Sequence, residues 1–195
     1  WNKIISQDSK FKKGELSFIT FNYDRVLEHF FYTSLKYSFG YNDKEIIKIL
    51  NEIPIIHLHG SLGFLPWQSK TDIVEYNYQF MNFTNHFTNI IKSVKNIKII
   101  HDQSLDNNVF EQAKTIMKNS NRIYILGFGF HPLNLKRLEI NAHNKKILCS
   151  AYGLTENEKK EVISEYSNLR LDNHNYDCLD FLRNYFTLKS EPMPF

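Results

Sequence analysis

Cysteine is scarce in this chain, with two residues among 195. Cys149 and Cys178 are too few to form a four-ligand structural zinc site or a disulfide framework. We therefore expect reduced thiols, as in a cytoplasmic protein, and no bound metal.

Long apolar runs and strong charge are also missing. No stretch approaches the roughly 20 apolar residues that a membrane-spanning helix needs, and no signal sequence opens the chain. The net charge is only +3, and the basic residues are dispersed. We therefore expect neither a membrane nor a nucleic acid as a partner.

Glycine and proline are sparse, at seven and five residues, and no linker rich in them divides the chain. No repeat or low-complexity tract is present. With 42% hydrophobic and 23% charged residues, the composition is that of an ordinary globular protein. We expect one domain over residues 1–195.

Apolar, β-branched runs recur along the chain and alternate with helical patterns. Most of these runs are continuously apolar, which predicts strands buried on both faces. The predicted strands are Leu16–Phe21, Ile53–Leu58, Ile97–Ile100, Ile123–Leu126, Ile147–Ser150 and Leu169–Leu171.

Apolar residues at helical spacing lie between the predicted strands. The faces so defined are Val26, Leu27, Phe30, Phe31 and Leu35; Phe87, Ile90, Ile91 and Val94; and Val109, Phe110, Ala113, Ile116 and Met117. Thr155 and Glu158 predict a capping box that opens a helix to about Tyr166, and a last helix starts near Asp177. Strands alternating with helices indicate an α/β fold with a mainly parallel sheet.

Polar residues and glycines follow three of the predicted strands. In parallel sheets, ligands bind beyond the carboxyl ends of the strands, so a shared site is expected there. Singly, these residues are also typical of a helix cap, a structural histidine and a tight turn. The residues are Asn22 and Asp24 after the first strand, His57, His59, Gly60 and Ser61 after the second, and Gly127, Gly129, His131 and Asn134 after the fourth.

His57 and His59 stand two residues apart, so in an extended segment they would face the same way. A metal pair is conceivable, but a clear third ligand is lacking. Gly60 leaves room for a bulky ligand beside His59. We therefore interpret His59 as the residue that takes part in the reaction and His57 as a supporting or structural residue.

At these residues the chain resembles the sirtuin-like branch of the silent-information-regulator superfamily, and within it the bacterial domains that consume NAD in anti-phage defence. The sirtuin T-Q-N-x-D motif stands here as Thr20-Phe21-Asn22-Tyr23-Asp24, and the H-G motif as His59-Gly60. The late ribose loop is altered to Gly127-Phe128-Gly129-Phe130, followed by Asn134. The similarity extends over about residues 16–186 and implies a Rossmann-like sheet with helices on both faces.

Two features of the family are missing. The glycine-rich loop that cradles the NAD pyrophosphate does not precede Thr20, and the chain begins with Trp1. We expect that an N-terminal segment carrying this loop is missing, so that the fold is incomplete and this chain alone cleaves NAD poorly. The four-cysteine zinc module of protein-deacylating sirtuins is absent as well, which disfavours an acyl-lysine substrate.

The resemblance implies an NAD glycohydrolase that releases nicotinamide and ADP-ribose, with NAD as substrate. It makes His59 the general base and Asn22 the residue that orients the ribose and the attacking water, so both are the expected catalytic residues. Asp24 would hold the nicotinamide carboxamide. The expected NAD-binding residues are Thr20, Asp24, Gly60, Gly127, Gly129 and Asn134.

Two other functions stay open. One is NAD-dependent deacylation or ADP-ribosyl transfer, which would use the same groups on another acceptor. The other is a non-catalytic module that senses NAD or ADP-ribose. In each case we expect a homo-oligomer or a larger multidomain defence protein.

Overall fold

A computed structural model describes residues 16–65, 67–68, 91, 94, 97–98 and 107–186 of the chain. The described residues form two compact units, of which the first ends at Val109 and the second begins at Phe110. The single domain over 1–195 stays a prediction. No helix in the described ranges is long and apolar enough to cross a membrane.

The first unit contains a two-stranded parallel sheet. The elements whose bounds are described in this unit are β1 (Phe18–Thr20), α1 (Val26–Tyr37), α2 (Asp43–Glu52) and β2 (Ile55–His57). In the register of the two strands Thr20 lies opposite His57, and the ladder continues with a 2.9 Å hydrogen bond from the Leu58 amide to the Thr20 carbonyl. Both strands therefore end at the same edge.

The buried face of α1 differs from the predicted one. Val26 and Phe30 are 56% and 54% exposed, whereas Glu28, Phe31 and Leu35 are buried. These three residues share the i, i+3, i+7 spacing of one helix face. A carboxylate thus occupies a core position of α1, and the prediction that Val26 and Phe30 belong to the apolar face is wrong.

Helix α2 was not predicted, although its start carries a clear signal. The Asn42 side chain accepts from the Glu45 amide at 3.1 Å, and the Glu45 carboxylate accepts from the Asn42 amide at 2.9 Å. This capping box opens an amphipathic helix that buries Ile46 and Leu50. The helix leads directly into β2.

The second unit contains a three-stranded parallel sheet in the order β3-β4-β5, with β4 in the centre. A short 3-10 helix, Ile140–Ala142, precedes β4. The other elements are α3 (Asn107–Asn119), β3 (Ile123–Ile125), α4 (Pro132–Arg137), β4 (Ile147–Cys149), α5 (Glu156–Glu165), β5 (Leu169–Leu171) and α6 (Cys178–Tyr185).

The predicted α/β class is confirmed, because short parallel sheets alternate with helices in chain order, as in a Rossmann-like fold. The capping box of Thr155 and Glu158 is present, and Asp177 caps α6. Phe87, Ile90 and residues 99–100 of the predicted helix face and strand lie outside the described residues. Of the predicted strand Ile97–Ile100, the structure describes Ile97 and Lys98, and neither is in a strand.

Burial on both faces was predicted for most strands, but of the described strands only β4 is buried at every position. The strands β1, β2 and β3 are half-buried. Within the described ranges, each of these three strands pairs with one neighbour. These three strands are therefore less buried than their continuously apolar sequences predict.

Candidate functional site

The first unit brings the two strongest sequence motifs to one sheet edge. Asn22 follows Thr20 by two residues, and His59 follows His57 by two, while Thr20 and His57 face each other in the parallel register. The segments with Thr20, Asn22 and Asp24 on one strand end, and with His59 and Gly60 on the other, therefore leave the sheet side by side. This is the edge at which parallel sheets bind ligands.

Side chains hold the backbone of the turn after β1 in a fixed shape. The Asn22 amide donates to Oγ1 of Thr20 at 3.0 Å, and the Val26 amide donates to Oδ1 of Asp24 at 3.0 Å. Thr20 and Asp24 thus have local structural roles, since each side chain accepts from the backbone amide two residues further on. Asn22 itself is exposed. Its amide side chain is thereby presented to solvent from a constrained turn.

The two strand-end segments are also joined to each other. The Leu62 amide donates a 2.7 Å hydrogen bond to the Tyr23 carbonyl. The half-buried His59 ring packs edge-on against Phe21, with ring centroids 5.3 Å apart and an interplanar angle of 72°. Gly60 follows at a φ of +77°, a conformation that side chains other than glycine rarely adopt. The His59 imidazole is therefore packed against the residue that follows β1.

Beneath this edge lies a buried cluster of charged side chains: Arg25, Glu28 and His57. Oε1 of Glu28 is 3.2 Å from the Arg25 guanidinium and 2.8 Å from Nε2 of His57. The three side chains are only 7%, 8% and 6% exposed. Burial alone would raise the pKa of Glu28, but the hydrogen bond from His57 and the charge of Arg25 outweigh it and hold the pKa below its ordinary value.

The other ring nitrogen of His57 binds the turn. Nδ1 lies 2.7 Å from the Asn22 carbonyl, which can only accept, so Nδ1 carries a proton. On the opposite side of the ring, Nε2 lies 2.8 Å from Oε1 of Glu28. Both ring nitrogens of His57 are therefore engaged in hydrogen bonds, and neither is left for a metal. The described residues contain no cluster of three or more His, Cys, Asp or Glu disposed to hold one.

A cavity of about 120 Å³ borders the charged cluster. Its polar lining includes Arg25, Glu28, Asn51 and Gln68, and the Arg25 guanidinium donates to Oε1 of Gln68 at 2.8 Å. Polar surroundings of this kind lower the cost of keeping an ion pair away from bulk water.

In the second unit, the loop after β3 is tied to the end of β4. The Gly127 amide donates to the hydroxyl of the buried Ser150 at 2.9 Å. Gly127 has a φ of +57°, and the buried Phe130, which ends the Gly127-Phe128-Gly129-Phe130 segment, has a φ of +52°. At Gly129, by contrast, an added Cβ would meet no atom within 4 Å. The turn itself needs Gly127, whereas the chain around Gly129 leaves open space.

Asn134 lies in α4, which starts after His131 with Pro132 at its first position. The residue is 7% exposed, and its Oδ1 is buried without a hydrogen-bond donor. Buried amide oxygens are normally paired in proteins. This oxygen is therefore a candidate acceptor for a ligand group.

A second polar network, not predicted from the sequence, follows β5. Asp172 is 3% exposed; its Oδ2 accepts from the Tyr176 amide at 2.9 Å, and its Oδ1 accepts from the Tyr185 hydroxyl at 3.1 Å. Nδ1 of His174 lies 3.3 Å from the same Oδ1. Burial, followed by the bond to Asp172, raises the pKa of Tyr185 to about 12. The network fixes the segment between β5 and α6.

The edge of the first unit thus presents an exposed amide and a held imidazole. An amide can orient a hydroxyl group or a water molecule, and an imidazole can accept a proton near neutral pH. The predicted residues Gly127, Gly129 and Asn134 belong to the second unit. In comparisons with protein-family models, curated proteins and solved structures, the chain has no match.

Proposed function

We propose that the protein is an NAD glycohydrolase that cleaves NAD to nicotinamide and ADP-ribose, in the manner of a defence effector. The observation that carries this proposal is the joined pair of strand ends, with Asn22 on one and His59 on the other. A ribose with an attacking water needs an orienting donor–acceptor group and a base close together. An amide and an imidazole at one sheet edge supply both types of group.

The reaction breaks the bond between C1′ of the ribose and the ring nitrogen of nicotinamide. The bonding electron pair leaves with nicotinamide, which departs as a neutral molecule, so no acid has to protonate it. Water adds to the oxocarbenium-like C1′, as in glycoside hydrolysis. His59 takes one proton from this water and passes it to solvent, and Asn22 orients the water and the ribose hydroxyls.

The remaining predicted residues have roles in binding. Asp24 holds the nicotinamide carboxamide through Oδ2, since Oδ1 accepts from the Val26 amide. Gly60, with its positive φ, keeps the backbone beside His59 free of a side chain. Gly127, Gly129 and Asn134 of the second unit stay predicted NAD-binding residues, on observations within that unit alone. An added Cβ at Gly129 would meet no atom within 4 Å, and Oδ1 of Asn134 is buried without a hydrogen-bond donor.

The test is nicotinamide release from NAD by the full-length protein and four variants. His59→Ala and Asn22→Ala should each reduce the rate by about 100-fold or more, the range of general base catalysis. His143→Ala, another half-buried histidine, and Asn121→Ala, another exposed asparagine, are the matched controls and should keep the parent rate. A His59→Ala variant that releases nicotinamide at the parent rate would refute the proposal.

Binding measurements separate hydrolysis from the alternatives. NAD at 100 times its Kd should stabilise the folded protein by about 2.7 kcal/mol. An inactive parent that is stabilised in this way would instead be a sensing module. An acyl-ADP-ribose product in the presence of acyl peptide would identify a deacylase.

A further inference from the structure

We propose that Glu28 is a positioning residue that acts through His57 on the Asn22 turn. This inference rests on the proposed function for its kinetic part, while its structural part stands on the geometry of the first unit. The carboxylate of Glu28 holds the His57 ring at Nε2, and the same ring holds the Asn22 carbonyl at Nδ1. Glu28 itself lies in α1, and its carboxylate reaches the Asn22 carbonyl through this ring.

The chain of contacts is short and directional. The distances of 2.8 Å from Glu28 to His57 and 2.7 Å from His57 to the Asn22 carbonyl are at the short end of the range for hydrogen bonds with a nitrogen donor. Nδ1 and Nε2 belong to one rigid ring, so fixing one nitrogen fixes the other. The Arg25 guanidinium, 3.2 Å from the same Glu28 oxygen, keeps the carboxylate charged and in place.

Stability alone does not account for this cluster. Buried ion pairs are often no more stabilising than apolar residues of similar volume. Glu28 nevertheless shares the core face of α1 with Phe31 and Leu35, where an apolar side chain would pack. The charged cluster holds a hydrogen-bond donor, Nδ1 of His57, against the Asn22 carbonyl. An apolar residue in place of Glu28 would not hold the His57 ring in this way.

The turn that His57 holds is already constrained on its other side. The Asn22 amide is bound by Thr20, and the next carbonyl, that of Tyr23, is bound by the Leu62 amide. The Asn22 carbonyl is the group between these two anchors. With His57 in place, the peptide plane after Asn22 cannot rotate, so the exposed Asn22 side chain leaves the turn in one direction.

The test uses Glu28→Gln in the full-length protein, with Glu156→Gln as the matched control. Glu156 also forms an i, i+3 ion pair with a buried cation, Lys159 at 3.0 Å, but it lies in α5 of the second unit. In the parent, ¹⁵N NMR of labelled histidine should find a proton on Nδ1 of His57, the nitrogen that binds the Asn22 carbonyl. In Glu28→Gln the ring signals of His57 and the amide signal of Tyr23 should both shift.

The kinetic measurement compares the effect of Glu28→Gln on kcat with its effect on KM. Misplacing a reacting group by about 1 Å can cost about 100-fold, so Glu28→Gln should lower kcat for NAD cleavage about tenfold or more. KM should change by less than about threefold, because Glu28 does not touch NAD and the loss falls on the reaction step. Glu156→Gln should leave the His57 signals, the Tyr23 signal and kcat unchanged.

The outcomes distinguish this inference from the proposed function. If the parent does not cleave NAD but the His57 and Tyr23 signals change in Glu28→Gln, the proposed function fails and the positioning contact stands. If Nδ1 of the parent His57 carries no proton, or if Glu28→Gln leaves the Tyr23 signal and kcat at parent values, the positioning role is overturned.

Discussion

The amide of Gly127 donates a 2.9 Å hydrogen bond to the hydroxyl of Ser150, across the carboxyl ends of two neighbouring strands. Gly127 lies two residues after the end of β3, and Ser150 directly follows β4. The Ser150 amide in turn donates to the Ile125 carbonyl at 2.9 Å. The loop that carries Gly129 is therefore anchored at its first residue. The two glycines of this loop consequently have different physical roles.

Alanine at these two glycines should affect stability differently. At Gly127 the φ of +57° is in the left-handed region, so Gly127→Ala should lower the free energy of unfolding by about 1–2 kcal/mol. At Gly129 the φ lies outside that region and a Cβ meets no atom within 4 Å. Gly129→Ala should therefore leave the free energy of unfolding within about 1 kcal/mol of the parent or above it. Urea unfolding measures both.

In NAD binding, Gly129→Ala should have a larger effect than it has on the free energy of unfolding. If Gly129 gives the ligand room, Gly129→Ala should reduce the thermal shift caused by NAD although the fold is intact. Equal NAD affinity in Gly129→Ala and the parent would remove Gly129 from the site.

The buried carboxylate of Asp172 should make the second unit sensitive to acid. Burial would raise the pKa of Asp172, but hydrogen bonds from the Tyr176 and His174 amides and the Tyr185 hydroxyl lower it below the ordinary value. The resulting stabilisation is complete above about pH 4, the ordinary aspartate range, and is lost as the pH falls through the lower folded pKa.

Asp172→Asn should therefore cost about 1–3 kcal/mol at pH 7 and lose less stability than the parent on acidification. Urea unfolding at pH 7 and pH 3 gives both values. Asp180→Asn is the control, since Asp180 is exposed and its ion pair with Arg183 spans 3.5 Å at the surface. It should stay within about 0.5 kcal/mol of the parent. An equal acid response in parent and Asp172→Asn would contradict the assignment.

The two cysteines should differ in reactivity. Burial raises the pKa of the Cys149 thiol, which lies in the central strand β4, whereas Cys178 is exposed at the start of α6. The thiolate is the reactive form, so Cys149 should be inert in the folded protein. Titration with a thiol reagent should find one reactive thiol per native chain and two after unfolding. Cys178→Ser should abolish the native reaction, and a fast second thiol would contradict the burial of Cys149.

Local patterns account for what the sequence predicted correctly. The run that ends at Phe21 and the cap at Asp24 mark the boundary between β1 and α1, and the box of Thr155 and Glu158 marks the start of α5. Each of these signals is complete within a few residues. Helix α2 carried an equally local signal in Asn42 and Glu45, so it could have been predicted.

Long-range pairs account for what the sequence did not predict. Periodicity placed only apolar residues on the core face of α1. Nothing near Glu28 in the sequence indicates that its carboxylate binds His57, 29 residues away. The bond between Gly127 and Ser150 spans 23 residues, and that between Asp172 and Tyr185 spans 13. A polar residue in a core position is interpretable only when its partner is known.

Asn134 provides a test in which stability and binding should move in opposite directions. Its Oδ1 is buried without a donor, so the free protein bears the cost of desolvating it. Asn134→Leu should therefore leave the free energy of unfolding unchanged or raise it by about 1 kcal/mol, while it weakens the stabilisation by NAD.

Asn168→Leu is the matched control for that substitution. Asn168 also has a buried, unpaired Oδ1, but its Nδ2 donates to the carbonyls of Ile140 at 2.7 Å and His143 at 3.2 Å. Asn168→Leu should lower the free energy of unfolding by about 1–3 kcal/mol, since these two carbonyls lose their donor. Thermal unfolding with and without NAD or ADP-ribose measures both effects. If Asn134→Leu destabilises the free protein as much as Asn168→Leu and leaves the ligand-induced shift intact, then Asn134 serves the fold and not the ligand.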